Sequence, residues 1–275
     1  MSVRPAGIIT LTTDFGLNDP YVGQMKGAIL QRYPGAQLVD LSHAILRQDI
    51  LGAALVLHSS YTFFPSGTVH LVIVDPGVGS QRQIIAAEAE EHYFVAPDNG
   101  VISLLLRDRL IKKVHLVEEK GFFAEPVSLT FHGRDIMGPV AAVLAKGIPL
   151  RTVGPEFSPA SCVCLEMPAA QLGEQKIMGQ VLQVDHFGNI RTTIRQTDLE
   201  CFDNQQQCQV QICGKLIQGI MRTYTEAGVG ELAALIDSAG YLEIAVNTGH
   251  AAQLLRCRIG DTVEVHYPKE EDFIR

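Results

Sequence analysis

The chain reads as an α/β protein in two parts: a mainly parallel-sheet N-terminal domain and a smaller β-barrel-like C-terminal domain. Three features predict this. From Gly7 to about Gly147, short β-rich apolar runs alternate with helical patterns, which is the rhythm of a parallel sheet covered by helices. Between Ile148 and Gln175 that rhythm fails, and Pro149, Pro155, Pro159 and Pro168 punctuate a stretch too irregular for an element interior. Beyond it the apolar runs are almost all of strand length. The expected domains are therefore residues 1–160 and 170–275.

In the first part, strands are expected at Ile8 to Thr12, Ala36 to Leu41, Thr68 to Val74, Tyr93 to Val95 and Lys112 to Val117. Helical spacing of apolar residues predicts helices over Val22 to Arg32, Asp49 to Ser60, Val101 to Arg109 and Arg134 to Lys146. In the second part, strands are expected at Lys176 to Asp185, Asn189 to Ile194, Gln209 to Cys213, Leu232 to Ile236, Tyr241 to Val246 and Thr262 to Tyr267, with one short helix near Ala251 to Leu255. Ligands of parallel sheets bind beyond the carboxyl ends of the strands, so the chemistry is expected there.

Composition narrows the class of function. At 275 residues with 47% hydrophobic and 19% charged, the chain can bury a substantial core and is too apolar for a disordered segment. Lys+Arg 22 against Asp+Glu 30 gives a formal net charge of -8 with no basic cluster, which argues against nucleic acid as a partner. The N-terminus lacks the pattern of a signal peptide, and runs such as Leu51 to Leu57 fall far short of the roughly 18 residues of a membrane span. A cytoplasmic protein with no membrane partner is expected. Cys162, Cys164, Cys201, Cys208, Cys213 and Cys257 include no C-x-x-C unit, so reduced structural thiols are expected and no metal is assigned.

Polar, glycine-flanked clusters mark the expected strand ends: Thr12-Thr13-Asp14-Phe15-Gly16, Asp75-Pro76-Gly77-Val78-Gly79, Pro97-Asp98-Asn99-Gly100, Phe131-His132-Gly133-Arg134-Asp135 and Asp185-His186-Phe187-Gly188-Asn189. Each alone is ordinary turn chemistry. Together they suit a ligand carrying hydroxyls to chelate or positive charge to match. Asp75, Arg82 and His132 stand out, because tight turns at Gly77 and Gly79 would let Arg82 fold back onto Asp75 as a rigid bidentate pair. His132 is expected to open a helix after a strand, where the helix dipole favours a neutral ring able to accept a proton. A structural Arg-Asp pair beside an unrelated capping histidine would read the same way. His43, His58, His70, His92 and His115 suit structural roles.

The set T-T-D-F-G, D-P-G-V-G-S-x-R, A-P-D-N-G, T-F-H-G-R-D-I-M-G-P-V-A, V-D-H-F-G-N-I and S-A-G-Y-L-E-I-A-V-N resembles the S-adenosyl-L-methionine (SAM) hydroxide adenosyltransferases, adenosine-forming SAM hydrolases related to the fluorinating and chlorinating SAM halogenases. The resemblance runs in order from about Ile8 to Gly260. It implies displacement at the ribose C5′ of SAM by water or hydroxide, giving adenosine and methionine without a cofactor or metal. It further implies that Asp75, Arg82 and His132 hold the nucleophilic water and that Asp14 chelates the ribose hydroxyls. Asp185, Asn189 and Ser238 would contact the methionine end and Asn247 the adenine. A homotrimer with sites at subunit interfaces is also implied. The halogenase relatives present a hydroxyl residue to the halide where this chain has Gly133. Three other readings stay open: a halide-using SAM halogenase, metal-dependent phosphoester hydrolysis through Asp14, Asp75, Asp98, His132 and Asp135, and a non-catalytic SAM or adenosine sensor.

Overall fold

Residues 4–202 and 205–267 are described by the computed structural model. The chain divides into two units, one up to Leu165 and one from Glu166 onward. The first opens with β1 (Ile8–Thr13), buried from Ile9 on, then α1 (Tyr21–Arg32), β2 (Gln37–Ser42), α2 (Ile50–Ser60) and β3 (Val69–Ile73). It continues through β4 (Ile84–Ala89), β5 (His92–Pro97), α3 (Ser103–Arg107), β6 (Ile111–Leu116), α4 (Gly138–Lys146) and the short β7 (Glu156–Phe157). The sheet order is β2-β1-β3-β5-β4-β6-β7. Helices cover both faces: Ile9 and Leu11 pack with Met25, Ile29, Val140 and Leu144, while Val72 and Phe94 pack with Ala53, Leu57 and Leu105. With both faces of the sheet covered, β1 and β3 expose no polar side either: Thr10, Thr12 and Thr13 of β1 and His70 of β3 are buried with their apolar neighbours.

The sheet is mixed, which corrects the mainly parallel expectation. β2, β1, β3 and β5 run parallel, but β4 is antiparallel to both β5 and β6, and β7 is antiparallel to β6. The cause is local. Only Glu90 and Glu91 separate β4 from β5, with Glu90 at φ 52, and a two-residue connection can join only antiparallel neighbours. β4 itself, Ile-Ile-Ala-Ala-Glu-Ala, is absent from the expected strands. A second correction concerns His132. No strand precedes it; Phe131 ends an irregular segment, and His132 opens a π-helical turn, Gly133–Met137, that runs into α4.

The second unit holds β8 (Gln171–Leu172), β9 (Lys176–Val184), β10 (Ile190–Arg195), β11 (Gln209–Ile212), β12 (Lys215–Gln218), β13 (Leu232–Ile236), β14 (Tyr241–Val246), α5 (Ala251–Leu255) and β15 (Thr262–His266). Its sheet is antiparallel in the order β12-β11-β15-β9-β10-β14-β13, with β8 beside β9. A bridge from Met221, just past β12, to Leu235 on β13 draws the two ends of that order together, so the sheet is nearly closed. Ile177, Val181, Ile190, Leu242, Ile244 and Val263 fill its interior.

Candidate active site

Three of the parallel strands deliver carboxylates to one edge: Asp14 follows β1, Asp75 follows β3 and Asp98 follows β5. Of these, Asp98 is turned inward, buried, with its carboxylate accepting from Val163 N at 2.9 Å, so it braces the chain. Asp14 and Asp75 border a cleft of about 270 Å³ together with Phe15, Gln48, Phe131 and His132. That volume is slightly below the roughly 300 Å³ at which small-molecule pockets begin, so the cleft suits part of a ligand.

Asp75 and Arg82 form the bidentate pair. Arg82 Nε donates to Asp75 Oδ1 at 2.8 Å, and Arg82 Nη2 donates to Asp75 Oδ2. Side-chain exposures of 10% for Arg82 and 6% for Asp75 keep this pair away from bulk water. The connecting loop is a run of tight turns, with Val78 N on Asp75 O and Ser80 N on Gly77 O. Gly79 has φ 78, and a Cβ there would stand 2.7 Å from Leu129 O, so only glycine lets this loop lie against the segment leading to His132.

His132 completes the group. Its Nδ1 lies 3.1 Å from Arg82 Nη2. A guanidinium can only donate, so Nδ1 accepts and the neutral ring carries its proton on Nε2. Burial, then the charge of Arg82, lower the His132 pKa, against weaker raising contributions from Asp75 and Asp135. The neutral ring foreseen from a helix dipole thus has a different cause. Close by in sequence, the buried Asp135 braces the turn that His132 opens: its carboxylate accepts from Ser128 N at 2.8 Å and from Arg134 Nε and Nη2 at 2.6 and 2.9 Å. Asp135 O also accepts from Ala124 N, so the segment before His132 is folded back on the π-helical turn.

On the facing wall, Asp14 Oδ2 accepts from Gln48 N at 2.8 Å, leaving Oδ1 free of any described protein partner. Phe15, Tyr21 and Phe131 meet edge to face, with the Phe15 and Phe131 centroids 5.6 Å apart and Arg134 4.8 Å from the Phe131 centroid. Sequence reasoning did not find Gln48, Phe15, Phe131 or the bracing role of Asp135. Gln48 acts through a backbone N–H at φ 65, which no side-chain type announces.

The remaining expected residues lie in the second unit. Asp185 and Asn189 close the turn between β9 and β10, with Asn189 N on Asp185 Oδ1 at 2.8 Å. Ser238 is exposed in the turn between β13 and β14, next to Asp237, which accepts from Arg191 Nε at 2.6 Å. Beside them, Glu243 is buried and takes a hydrogen bond from Tyr224 Oη at 2.8 Å; burial raises its pKa, with Asp237 and Asp185 adding to that. Asn247 follows β14 and spends its Nδ2 on Ala227 O at 2.7 Å.

Asp14, Asp75, Asp98, His132 and Asp135 do not gather as metal ligands; among the described residues one metal-compatible group forms, and it lies in the second unit. The carboxylates of Asp75 and Asp135 are taken up by arginines, which removes the support for the phosphoester reading.

Residues 9–154 match the model of the SAM hydroxide adenosyltransferase N-terminal domain, and residues 179–264 match that of the C-terminal domain. The chain belongs to the SAM hydroxide adenosyltransferase family. Within it, the chain is 35% identical to an (R)-S-adenosyl-L-methionine hydrolase of Salinispora tropica, covering 96% of this chain and 99% of that protein. It is 36% identical to a hydrolase of the same name from Thermus thermophilus, covering 92% and 97%. A fluorinase of an Actinoplanes species is more distant, at 28% identity over 94% and 97%. Among solved structures, an uncharacterized conserved protein from Thermotoga maritima superposes with a TM-score of 0.88 at 36% identity, covering 94% of this chain and 99% of the other. The adenosyltransferase domains account for both units of the fold, and the Asp75, Arg82 and His132 contact lies wholly within the N-terminal one.

Proposed function

We propose that this chain is a SAM hydrolase in which water, held by Arg82 and His132, attacks the ribose C5′ of the substrate and releases adenosine and methionine. The observation that carries this reading is the buried contact of Asp75, Arg82 and His132 at the wall of a cleft that also presents a free carboxylate oxygen of Asp14. The C5′–S bond breaks with its electron pair going to sulfur, and a C5′–O bond forms from the water oxygen. The water's proton passes to His132 Nδ1 as that nitrogen gives up the hydrogen bond it accepts from Arg82, and then to solvent.

Each residue has a physical task in this step. Sulfonium is a good leaving group, so the enzyme must supply and aim a nucleophile. Water's pKa of about 15.7 makes hydroxide scarce near neutrality. The Asp75 fork fixes the guanidinium so that it can stabilise developing hydroxide, and the neutral His132 ring accepts the proton. A half-closed cleft strengthens the attraction between hydroxide and sulfonium. Asp14 Oδ1 suits the ribose diol, Asp185, Asn189 and Ser238 the methionine end, and Asn247 Oδ1 the adenine. The relatives' names specify the R configuration, and we assign the same sulfonium epimer to this chain.

A homotrimer and a cytoplasmic location belong to the same reading. Leu17, Leu46 and Leu129 are exposed, each within a few residues of the cleft-lining Asp14, Gln48 and Thr130, and an apolar rim of this kind favours cover by another copy. Gly133 separates the hydrolase from a halide-using relative. A Cβ there would stand 2.9 Å from Ile73 Cδ1 and 3.5 Å from Phe15 Cζ, so a hydroxyl side chain does not fit without displacement.

The test is incubation of the protein with each resolved sulfonium epimer of SAM, with and without EDTA and with excess chloride. Equal amounts of adenosine and methionine, unaffected by EDTA, are expected. Chlorodeoxyadenosine would reassign the chain to halide chemistry, and binding without product would make it a sensor.

A further inference from the structure

Away from the cleft, one cluster of reactive side chains has no part in the chemistry above. Cys213, Cys257 and Asp261 bring two sulfurs and a carboxylate oxygen within 4.8 Å of one another. Strand register assembles them. Ile212 of β11 pairs with Val263 of β15, so Cys213, the next residue, comes level with the chain just ahead of β15, where Asp261 lies. Cys257 follows α5, its N–H held by Ala252 O at 3.0 Å. Asp261 Oδ2 accepts from Arg258 N at 2.7 Å. Spacing along the sequence hides this group, because Cys213 is distant in the chain from Cys257 and Asp261 and the cysteines form no C-x-x-C unit.

The residue choice at the hairpin is a separate observation. Cys213 and Gly214 are the two central residues between β11 and β12, with φ 47 and 73. Left-handed backbone at both positions calls for Asn, Asp or Gly at the first, and a cysteine there gains nothing from the turn itself.

We propose that Cys213, Cys257 and Asp261 bind one divalent cation of the zinc class, through two thiolates and one carboxylate oxygen, with water as the fourth ligand. Zinc–sulfur bonds of about 2.3 Å and zinc–oxygen bonds of about 2.1 Å at tetrahedral angles put sulfur and oxygen ligands about 3.6 Å apart, and Cys213 Sγ lies 3.7 Å from Asp261 Oδ2. A pair of sulfurs selects zinc or cadmium over calcium or magnesium. Cys213 is exposed, which gives the cation and its water a way in. As each sulfur–metal bond forms, its thiol releases a proton to solvent, two per cation. The cation ties the β11–β12 hairpin to the turn ahead of β15. A disulfide between the same cysteines would need an external oxidant and would leave Asp261 without a part.

Cobalt titration of the full-length, chelator-stripped protein, kept reduced with a phosphine, tests this directly. One equivalent per chain is expected, with intense tetrahedral visible bands and a sulfur-to-cobalt charge-transfer band, both discharged by zinc. Cys213→Gly relieves the left-handed strain and so keeps the hairpin folded; it should abolish those bands, and Asp261→Asn should weaken binding at least tenfold. Zinc should raise the thermal midpoint of the native protein and leave Cys213→Gly unmoved. Bands that survive Cys213→Gly, weak octahedral bands alone, or no uptake beside ready disulfide formation with oxidised glutathione would each overturn the assignment.

Discussion

His132 is the residue on which the pH behaviour of the reaction turns. Its working form is the neutral ring, and burial with the Arg82 charge keeps its pKa below the ordinary imidazole value. Turnover should therefore be flat at neutral pH and fall only when acid reaches that lowered pKa, which a kcat–pH profile measures; a limb above about 6.5 would contradict the assignment. Arg82→Ala and His132→Ala should each lower kcat by on the order of 10² to 10³ while SAM still binds, since both groups serve the water. Isothermal titration beside the rate assay separates the two effects, and equal loss of binding would overturn these roles. Gly133→Ser should slow hydrolysis without gaining halide use, because its side chain displaces Ile73 at the cleft wall. Asp75, Arg82 and His132 were legible as a group because each is a residue type with few inexpensive burials. Gln48 was not, since its contribution is a backbone N–H on Asp14.

At the scale of elements, the helices with strong caps or breaks were the most legible. Asp49 accepts from Gly52 N at 2.8 Å and starts α2, and Gly147 at φ 107 ends α4. Asp49→Ala should cost about 1 kcal/mol, read from a shifted denaturation midpoint. β4 was not legible: an alanine-rich strand carries little β-propensity, and only its two-residue link to β5 forces the antiparallel pairing that makes the sheet mixed. The π-helical turn at Gly133–Met137 was read as plain helix because its departure depends on Asp135, whose partners Ser128 and Ala124 lie in an irregular segment. Asp135→Asn should lower kcat more than it raises KM, since it loosens the π-helical turn that His132 opens without removing a ligand contact.

Across the whole molecule, the alternation of strand and helix followed by a strand-only tract predicted the two-unit division and the nearly closed second sheet, because each follows from which faces must be buried. A buried histidine in the first unit adds a stability consequence. His70 is fully buried, with Thr10 Oγ1 at 2.8 Å and His92 Nδ1 at 3.2 Å, and burial, helped by His92, drives its pKa down to about 3. The unfolded chain takes up a proton at about pH 6.5 that the folded chain refuses, so stability should decline from about pH 6.5 to about 3. Denaturation midpoints across that window check it, and His70→Gln should flatten the slope.

The central claim is that water attacks C5′. Turnover of SAM in ¹⁸O-enriched water, with mass analysis of both products, tests it most directly. One ¹⁸O atom is expected in the 5′-hydroxyl of adenosine and none in methionine, with Arg82→Ala and His132→Ala forming the same labelled adenosine on the order of 10² to 10³ more slowly. Labelled homoserine beside methylthioadenosine, or adenosine formed without ¹⁸O, would place the attack elsewhere and contradict it.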